Sequence, residues 1–327
     1  MKISIIGPGI MPIPPTGWGA VEILIWDQKL ALEKLGHEVD IVNVKSPIDI
    51  IKKVNIFRPD FVHIQYDDFI ELYPYIQYPC VITSHFGYFE QPNKWGYYHD
   101  RIVKPFQRIS PKIFCLSDGI KDVYKNELLI EESNLFVVPN GVNTRKFICK
   151  DKPKYPDRSL YLAKIDYRKR QTMFQSISSL YYAGNNADPN FNTNINYLGE
   201  WSKEHLYKNL SDYGNLVLLS DGEAHPLVCM EALAAGLGVV VCEYGAANLD
   251  TTKEFITVIP ESKINDIQYL EEEIIKNREY SIIHRDAIIE YAFNFDWVNI
   301  IENRYIPCVE YLISKICLLY TSDAADE

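Results

Sequence analysis

Two glutamates eight positions apart, Glu223 and Glu231, carry the clearest chemical signal in the sequence. They flank the start of a predicted helix from Pro226 to Ala235, since proline suits a first helical turn and Gly236 suits the position just past the end. That first turn leaves N–H groups unpaired and carries the positive end of the helix dipole, which favours a phosphate. One carboxylate can then bind sugar hydroxyls and the other a ribose diol. An acidic residue that favours the dipole, followed by an ordinary helix glutamate, explains the pair equally well.

A basic cluster, formed by Lys164, Arg168, Lys169 and Arg170, follows a predicted strand in the second half of the chain. Cations at the carboxyl end of a strand can neutralise a diphosphate leaving group as charge develops on it. The alternative is a solvated helix start. Because basic residues are slightly unfavourable at the positive end of a helix, the pattern favours a functional role.

A glycine- and proline-rich loop, residues 7–22, joins the first predicted strand to the first predicted helix. Glycines such as Gly17 and Gly19 allow the backbone to approach a phosphate closely. The spacing does not match the Gly-x-Gly-x-x-Gly fingerprint of dinucleotide-binding proteins. A simple requirement of the turn for glycine is therefore the stronger interpretation of this loop taken alone.

His85 ends a predicted strand and opens an aromatic stretch that includes Tyr88 and Trp95. Its imidazole could hydrogen-bond a substrate hydroxyl, and the aromatic faces could stack on sugar rings. A lone histidine is more often a satisfied structural residue, and His63, in the middle of a predicted strand, is expected to be buried. We find no Ser/His/Asp set and no His/Cys/Asp cluster with ligand spacing, so the sequence predicts no metal site.

The elements that must position these residues alternate between apolar runs and helical patterns, which indicates an α/β protein with parallel sheets covered on both faces. Two successive α/β units fit the pattern better than a single sheet, and the proline-containing segment 150–157 is the expected boundary. A ligand is then expected between the domains, at the carboxyl ends of the strands. The predicted strands are 2–6, 39–44, 61–66, 80–84, 112–116, 135–138, 159–165, 195–198, 216–219, 238–242 and 256–259.

The length, composition and charge of the chain exclude several classes of protein. The chain has 327 residues, a net charge of −11 and 47% hydrophobic residues, as expected for a globular protein of two domains. The acidic excess lies entirely in residues 151–327, and no basic footprint of a nucleic-acid-binding protein is present. No apolar run is long enough to cross a bilayer or to form a signal peptide, which predicts a cytoplasmic protein with at most peripheral membrane contact. The 7 scattered cysteines predict neither disulfides nor structural zinc.

Taken together, these segments resemble the retaining glycosyltransferases of family 4 over roughly residues 2–305. The Glu223 to Glu231 segment is similar to the Glu-x7-Glu motif of the family. Further similarities are found in Val138-Pro-Asn-Gly-Val-Asn143 with Phe147, in Ala163-Lys164 with Lys169-Arg170, and in Phe295-Asp-Trp297.

The resemblance implies the GT-B architecture, in which two Rossmann-like domains with parallel sheets face a central cleft. It implies an acceptor-side domain over 1–150, a nucleotide-sugar domain over 151–295, and a helix over 296–316 that returns to the first domain. We expect residues 317–327 to be a disordered or non-native tail.

By the same resemblance, a UDP- or GDP-linked hexose is the donor, and a hydroxyl of a glycan, lipid or small molecule is the acceptor. The anomeric configuration is retained, and neither a metal nor another cofactor is needed. The catalytic residues are expected to be Glu223, Lys169, Lys164 and His85, and the acceptor-side residues His85, Tyr88 and Trp95. The donor-binding residues are expected to be Gly17, Gly19, Lys164, Lys169, Glu223, His225, Pro226, Leu227, Val228 and Glu231.

The sequence departs from the family pattern at four positions. Pro226, Ala163 and Arg170 replace usual glycines, and Lys164 replaces an arginine that would grip a phosphate through two hydrogen bonds. These departures leave two alternatives open, a catalytically silent nucleotide-sugar-binding protein and a nucleotide-sugar epimerase of the same fold. A dehydrogenase is less well supported, because both its glycine fingerprint and the acidic partner downstream are missing.

Overall fold

The computed structural model describes residues 1–16 and 19–323, with side chains described up to residue 315. Gly17, which is predicted to bind the donor, and the end of the predicted 317–327 tail lie outside the described residues. The chain forms two compact units. Unit 1 contains Met1–Gly141 together with the chain from Trp297 onward, and unit 2 contains Val142–Asp296.

Unit 1 is built on a six-stranded parallel sheet with the strand order β2-β1-β3-β4-β5-β6. Its strands are short, apolar and largely buried, as is typical of a sheet covered on both faces. The strands are β1 (Lys2–Ile6), β2 (Glu38–Val42), β3 (Phe61–Ile64), β4 (Cys80–Ile82), β5 (Ile113–Cys115) and β6 (Leu135–Val137). The helices between them are α1 (Ala20–Lys34), α2 (Pro47–Phe57), α3 (Lys104–Ile109) and α4 (Asp118–Asn126).

Unit 2 is built on a five-stranded parallel sheet with the order β11-β10-β9-β7-β8. Every residue of the central strands β9 and β10 is buried. The strands are β7 (Tyr155–Leu162), β8 (Leu180–Ala183), β9 (Tyr213–Leu218), β10 (Gly238–Cys242) and β11 (Ile256–Ile259). The helices are α5 (Lys203–Asn209), α6 (Leu227–Ala234), α7 (Ile267–Ile283) and α8 (Arg285–Ala292).

The C-terminal segment consists of α9 (Trp297–Ile300), a π-helical turn over Ile301–Tyr305, and α10 (Ile306–Asp323). The Tyr305 ring packs edge-on against Phe61 and Phe114 of the unit 1 sheet. Pro307 is the second residue of α10, and the π-helical turn lies just before this helix. A wider turn accommodates a proline, which cannot donate its own backbone hydrogen bond. Because α10 extends to Asp323, the first part of the predicted disordered tail is helical.

The division between the units differs from the expected boundary at 150–157, because it falls at Gly141 and Val142. Lys150 explains the difference. Its N–H donates to Ser211 Oγ at 2.8 Å, and its ammonium group pairs with Asp212 at 2.6 Å, so this segment packs within unit 2. Strand β7 also begins at Tyr155, inside the proline-containing segment 150–157.

One predicted strand is wrong. Residues 195–198 contribute an isolated bridge between Tyr197 and Tyr182, and the strand that pairs with β7 is β8. The Leu180–Ala183 run has only four residues, and a run that short carries no periodicity that separates a strand from a helix. The other predicted strands lie where the structure has strands, with ends that differ by a few residues.

Candidate functional site

The segment that carries the two glutamates forms a buried strand, a loop and a buried helix. Strand β9 leads into residues 219–226, and α6 then begins at Leu227, one residue later than predicted, with Pro226 as its N-cap. At the far end, Gly236 adopts a φ of 78°, which favours glycine. Its N–H donates to the Leu233 carbonyl at 3.0 Å, and the Leu237 N–H donates to the Ala232 carbonyl at 2.9 Å. The predicted end of the helix is confirmed.

The start of α6 brings together four residues that the sequence predicts to bind the donor. The first backbone bond here runs from the Cys229 N–H to the Pro226 carbonyl, at 3.1 Å. The N–H groups of Leu227 and Val228 precede it, and helix geometry leaves such groups for other partners. Pro226 has no N–H and is buried, as is His225. The anion-binding capacity of this turn therefore rests on the N–H groups of Leu227 and Val228.

Glu223 is paired with two cations of the basic cluster. The Lys169 ammonium group donates to Glu223 Oε1, and the two side chains are only 12% and 9% exposed. Arg168 donates to the Gly222 carbonyl at 2.8 Å, and its guanidinium lies 3.8 Å from Glu223 Oε2. Residues that are distant in sequence thus form one charged group.

A buried tyrosine holds the two segments of this pair together. The Tyr161 hydroxyl donates to the Lys169 carbonyl at 2.5 Å and accepts the Leu219 N–H at 2.9 Å. The short turn Tyr167–Lys169 is closed by Asp166, whose side chain accepts the Lys169 N–H at 3.1 Å. Tyr161 was not predicted as a site residue, because an aromatic residue in a strand is usually a core residue.

The electrostatic setting keeps Glu223 ionised. Burial alone would raise the pKa of this carboxyl, but the charges of Lys169 and Arg168 and the hydrogen bond from Lys169 hold the pKa below its ordinary value. An ionised carboxylate accepts hydrogen bonds and cannot donate one. Glu223 is therefore suited to accept hydrogen bonds from hydroxyl groups.

Glu231, on the buried face of α6, pairs with a residue that the sequence did not indicate. The Lys203 ammonium group lies 2.5 Å from Glu231 Oε1. Lys203 is the first residue of α5, and the Ser202 side chain caps that helix. A lysine at the start of a short helix has no local pattern that would mark it as a partner of a glutamate 28 residues away.

The remaining basic residues have different environments. Lys164 is exposed, and no ion pair of Lys164 occurs within the described ranges 1–16 and 19–315, so its charge is available to an anion. Arg170 instead forms ion pairs with Asp221 and with Glu261, the latter at 2.5 Å. The predicted diphosphate cluster is thus corrected at Arg170, whose guanidinium is committed to two carboxylates of the protein.

In unit 1, His85 lies just past the carboxyl end of β4 and is partly exposed. Tyr88 and Trp95 differ from expectation, because both are buried. The Trp95 ring packs on Phe89, and its indole N–H donates to the Tyr88 carbonyl at 3.1 Å. These core contacts argue against the predicted stacking of the Tyr88 and Trp95 rings on sugars.

Asn43, which directly follows β2, holds the loop before α1 through two hydrogen bonds. Asn43 Oδ1 accepts the Gly9 N–H at 2.7 Å, and its amide donates to the Met11 carbonyl at 2.8 Å. Gly19 adopts a φ of 142°, and a Cβ atom there would lie 2.8 Å from Glu22 Oε2. The backbone conformation therefore favours glycine at position 19, whatever its predicted role in donor binding, whereas the end of the Glu22 side chain could move to make space.

His85 lies close to two buried titratable groups, His63 and Asp67. Burial lowers the pKa of His63 to about 3, with a smaller contribution from His85, and lowers the pKa of His85 to about 4. Burial raises the pKa of Asp67 to about 6, against the effect of hydrogen bonds from the Ser84 hydroxyl and the His85 N–H. Both imidazoles are therefore neutral at pH 7, and Asp67 is largely ionised.

These pKa values predict how stability depends on pH. The two histidines stay neutral in the folded protein, so the stability they contribute is lost as the pH falls below 6.5. Asp67 acts in the opposite direction, because its raised pKa lowers the stability of the folded state as the pH rises from 3.8 to about 6, and the full loss persists above pH 6. We expect Asp67→Asn to raise the free energy of unfolding at pH 8 by about 1 to 3 kcal/mol and to steepen the loss of stability between pH 7 and pH 5. Urea denaturation across this range provides the measurement, and an unchanged value at pH 8 would contradict the prediction.

No group of three or more His, Cys, Asp and Glu side chains among the described residues is placed to hold a metal ion. No helix in the described part of the chain is long and apolar enough to cross a membrane.

Comparison with known protein families identifies a match to the Glycosyltransferase Family 4 model over residues 43–146. This match confirms the resemblance to family 4 that the motifs predict. The matched segment contains His85 but ends before Lys164, Glu223 and Glu231, so the donor-binding assignments do not depend on it. A comparison with curated protein sequences gave no significant match.

Several solved glycosyltransferase structures resemble the whole chain. HepE of Anabaena in complex with UDP-glucose has a TM-score of 0.70 at 12% identity, over 96% of this chain and 100% of that chain. AviGT4, a glycosyltransferase involved in avilamycin A biosynthesis, has a TM-score of 0.69 at 14% identity, over 96% and 98%. Sucrose-phosphate synthase from Thermosynechococcus elongatus has a TM-score of 0.64 at 14% identity, over 100% of both chains. These likenesses confirm the predicted α/β fold class, with two Rossmann-like units of the GT-B type.

Proposed function

We propose that the protein is a glycosyltransferase that transfers a hexose from a nucleotide diphosphate sugar to a hydroxyl group, with retention of the anomeric configuration. The observation that carries the proposal is the pair of carboxylate–lysine contacts around α6, Lys169 with Glu223 and Lys203 with Glu231. They place two acceptors of hydroxyl hydrogen bonds beside a helix start that favours a phosphate. The complex of HepE with UDP-glucose supports the same class of donor.

In this proposal the diphosphate, the sugar and the ribose of the donor each bind a different set of polar or charged groups. The diphosphate binds the N–H groups of Leu227 and Val228 and the exposed ammonium group of Lys164. The sugar hydroxyls donate to Glu223, which Lys169 and Arg168 keep ionised. The ribose diol donates to Glu231, where it takes over or shares the hydrogen bond that Lys203 makes in the free protein.

The chemical step follows from these positions. The acceptor oxygen bonds to the anomeric carbon while the bond from that carbon to the diphosphate oxygen breaks. The leaving diphosphate takes the electron pair and receives the proton of the acceptor hydroxyl on a phosphate oxygen. Lys164 and Lys169 stabilise the negative charge that develops on the leaving group. No metal has a role in this scheme, and transfer is expected to persist in the presence of EDTA.

The first test is donor binding. A panel of UDP- and GDP-linked hexoses is added to the purified protein, and thermal unfolding is recorded for each. The true donor, at about 100 times its dissociation constant, should stabilise the protein by about 2.7 kcal/mol. UDP-glucuronate and free glucose serve as controls for a charged sugar and for a sugar without the nucleotide. If no nucleotide sugar stabilises the protein, the proposal fails.

The second test separates the enzyme from its alternatives. A protein that binds the donor but neither hydrolyses nor transfers it with any acceptor would be a silent binding protein. Conversion of the free donor into its epimer would indicate the epimerase. NMR of the product anomeric proton decides whether the configuration is retained.

A further inference from the structure

Lys203, the first residue of α5, lies where a helix does not favour a cation. The start of a helix carries the positive end of the dipole, which slightly repels an ammonium group. The ammonium nitrogen of Lys203 lies 2.5 Å from Glu231 Oε1, and this is its one ion pair within the described ranges 1–16 and 19–315. The carboxylate of Glu231, rather than the helix that carries Lys203, therefore holds this charge in place.

The ammonium group of Lys203 keeps hydrogen-bond donors for a ligand. An ammonium nitrogen carries three N–H donors, and the contact with Glu231 uses one of them. No other hydrogen bond of this ammonium group occurs in the part of the chain whose side chains the structure describes. The side chain of Lys203 is 33% exposed, whereas that of Glu231 is only 10% exposed. A further acceptor can therefore reach Lys203 while Lys203 still pairs with Glu231.

The proposed function places the ribose of the donor beside this pair. A hydroxyl group that donates to Glu231 Oε1 lies within about 5 Å of the Lys203 ammonium nitrogen, because each of the two contacts is one hydrogen bond long. Both residues belong to unit 2, which contains every group that this contact needs. The nucleobase is attached to the ribose carbon beside the 2′-hydroxyl group. It is therefore the part of the donor that the remaining N–H groups of Lys203 can reach.

The edge of a nucleobase that faces the ribose differs between uracil and guanine. A pyrimidine presents the acceptor O2 at this edge, whereas guanine presents the acceptor N3 together with the two N–H donors of its amino group. An ammonium group can only donate hydrogen bonds. Lys203 is thus matched to the O2 atom of uracil, and the amino group of guanine opposes it with further donors.

We propose that Lys203 selects the base of the donor by donating a hydrogen bond to O2 of uracil, so that a UDP-sugar is favoured over a GDP-sugar. The proposal rests on the proposed function for the contact between Glu231 and the ribose. Lys203 then has two roles, since one N–H group positions the carboxylate that binds the ribose and another reads the base. The discrimination uses both an attractive contact with uracil and a mismatch with guanine.

A purely structural role of the ion pair makes a different prediction. As a tie between α5 and α6, the contact of Lys203 with Glu231 would affect stability or the binding of the ribose, which UDP and GDP share. A structural tie therefore leaves the ratio of the two dissociation constants unchanged. The ratio is the quantity that separates the two roles.

The wild-type protein provides a first test that needs no variant. Isothermal titration calorimetry gives the dissociation constants of UDP, GDP, 2-thio-UDP, in which a weakly accepting sulfur replaces O2, and IDP, which lacks the amino group of guanine. UDP should bind at least about tenfold more tightly than GDP and than 2-thio-UDP, as expected for a charge-assisted hydrogen bond. IDP should bind at least about threefold more tightly than GDP. Equal constants within either matched pair, UDP with 2-thio-UDP or IDP with GDP, would overturn the proposal.

Variants of Lys203 test the cause of the preference. Lys203→Met should reduce the preference for UDP over GDP at least about fivefold and remove the difference between IDP and GDP. Any weakening of the ribose contact affects UDP and GDP alike and cancels in the ratio. Lys203→Arg should keep most of the preference, because a guanidinium group also only donates. Lys208→Met removes the same charge from an exposed position of α5 and should leave every ratio unchanged.

The outcomes distinguish this inference from the proposed function. If nucleoside diphosphates bind and Lys203→Met leaves the ratio of UDP to GDP unchanged, the base is selected elsewhere and only the role of Lys203 is wrong. Tighter binding of GDP than of UDP to the wild-type protein would have the same meaning. If none of the four nucleotides binds, the proposed function fails and this inference fails with it. Should Lys203→Met not fold, the matched ligand pairs on the wild-type protein still decide the question.

Discussion

Glu223→Gln and Lys169→Met are each expected to reduce the rate of sugar transfer by at least about a hundredfold, the largest effect that we anticipate for any single substitution. The physical reason is that each removes a charge that acts on the reacting part of the donor in a partly desolvated site. The rate constant kcat, measured with the donor identified by thermal shift, is the relevant quantity. The exposed Lys208 on α5 offers a matched control, because Lys208→Met should leave kcat unchanged.

The direct contact between Lys169 and Glu223 calls for a double-mutant cycle. Removal of one partner leaves the other charge buried and uncompensated, which perturbs the site beyond the loss of a single group. The double variant should therefore lose much less activity than the product of the two single losses. Purely multiplicative losses would indicate that the two residues act independently, and near-normal rates in both single variants would place the reacting groups elsewhere.

Glu231→Ala should produce the second largest effect, this time on binding. Loss of the hydrogen bonds between a carboxylate and a ribose diol is expected to raise the dissociation constant of the nucleoside diphosphate by about 10- to 100-fold. Stability should change little, since Lys203 is one-third exposed and can be solvated. Isothermal titration calorimetry with UDP and GDP gives the constants.

A matched control for this prediction is Glu204→Ala. Glu204 is an exposed glutamate next to Lys203 on α5, and its removal changes the net charge equally. An equal loss of affinity in both variants would mean that Glu231 acts only through long-range charge. A deoxyribose nucleotide adds a further check, since it should lose affinity for the wild-type protein but not for Glu231→Ala.

Much of the fold could be predicted from the sequence, because parallel strands in a covered sheet are continuous apolar runs. Strands β10 and β11 were predicted with the bounds that the structure has, and α6 within one residue at each end. Strand β8 was missed because its pairing with β7 depends on tertiary context rather than on a local pattern. The segment from Val142 to Tyr155 has no local signal of its place in unit 2, since the contacts of Lys150 are with residues about sixty positions away.

The candidate site could be predicted only where local sequence determines it. The position of Glu223 before a helix start and of Lys169 after a strand followed from local patterns, and their direct contact agrees with a shared role. Lys203 could not be found, because its pairing with Glu231 is made across the fold. Burial of Trp95 also had no local signal, since an aromatic stretch after a strand suits a core and a binding surface equally well.

The ion pairs of Arg170 determine which residues this position tolerates. The backbone has a left-handed conformation with a φ of 58°, which glycine adopts more readily than arginine. The guanidinium pairs with both Asp221 and Glu261, so a glycine at this position would remove a positive charge beside two carboxylates. Glycine would therefore relieve the backbone and weaken the electrostatic interactions at the same time. The residues suited to position 170 depend on those at positions 221 and 261.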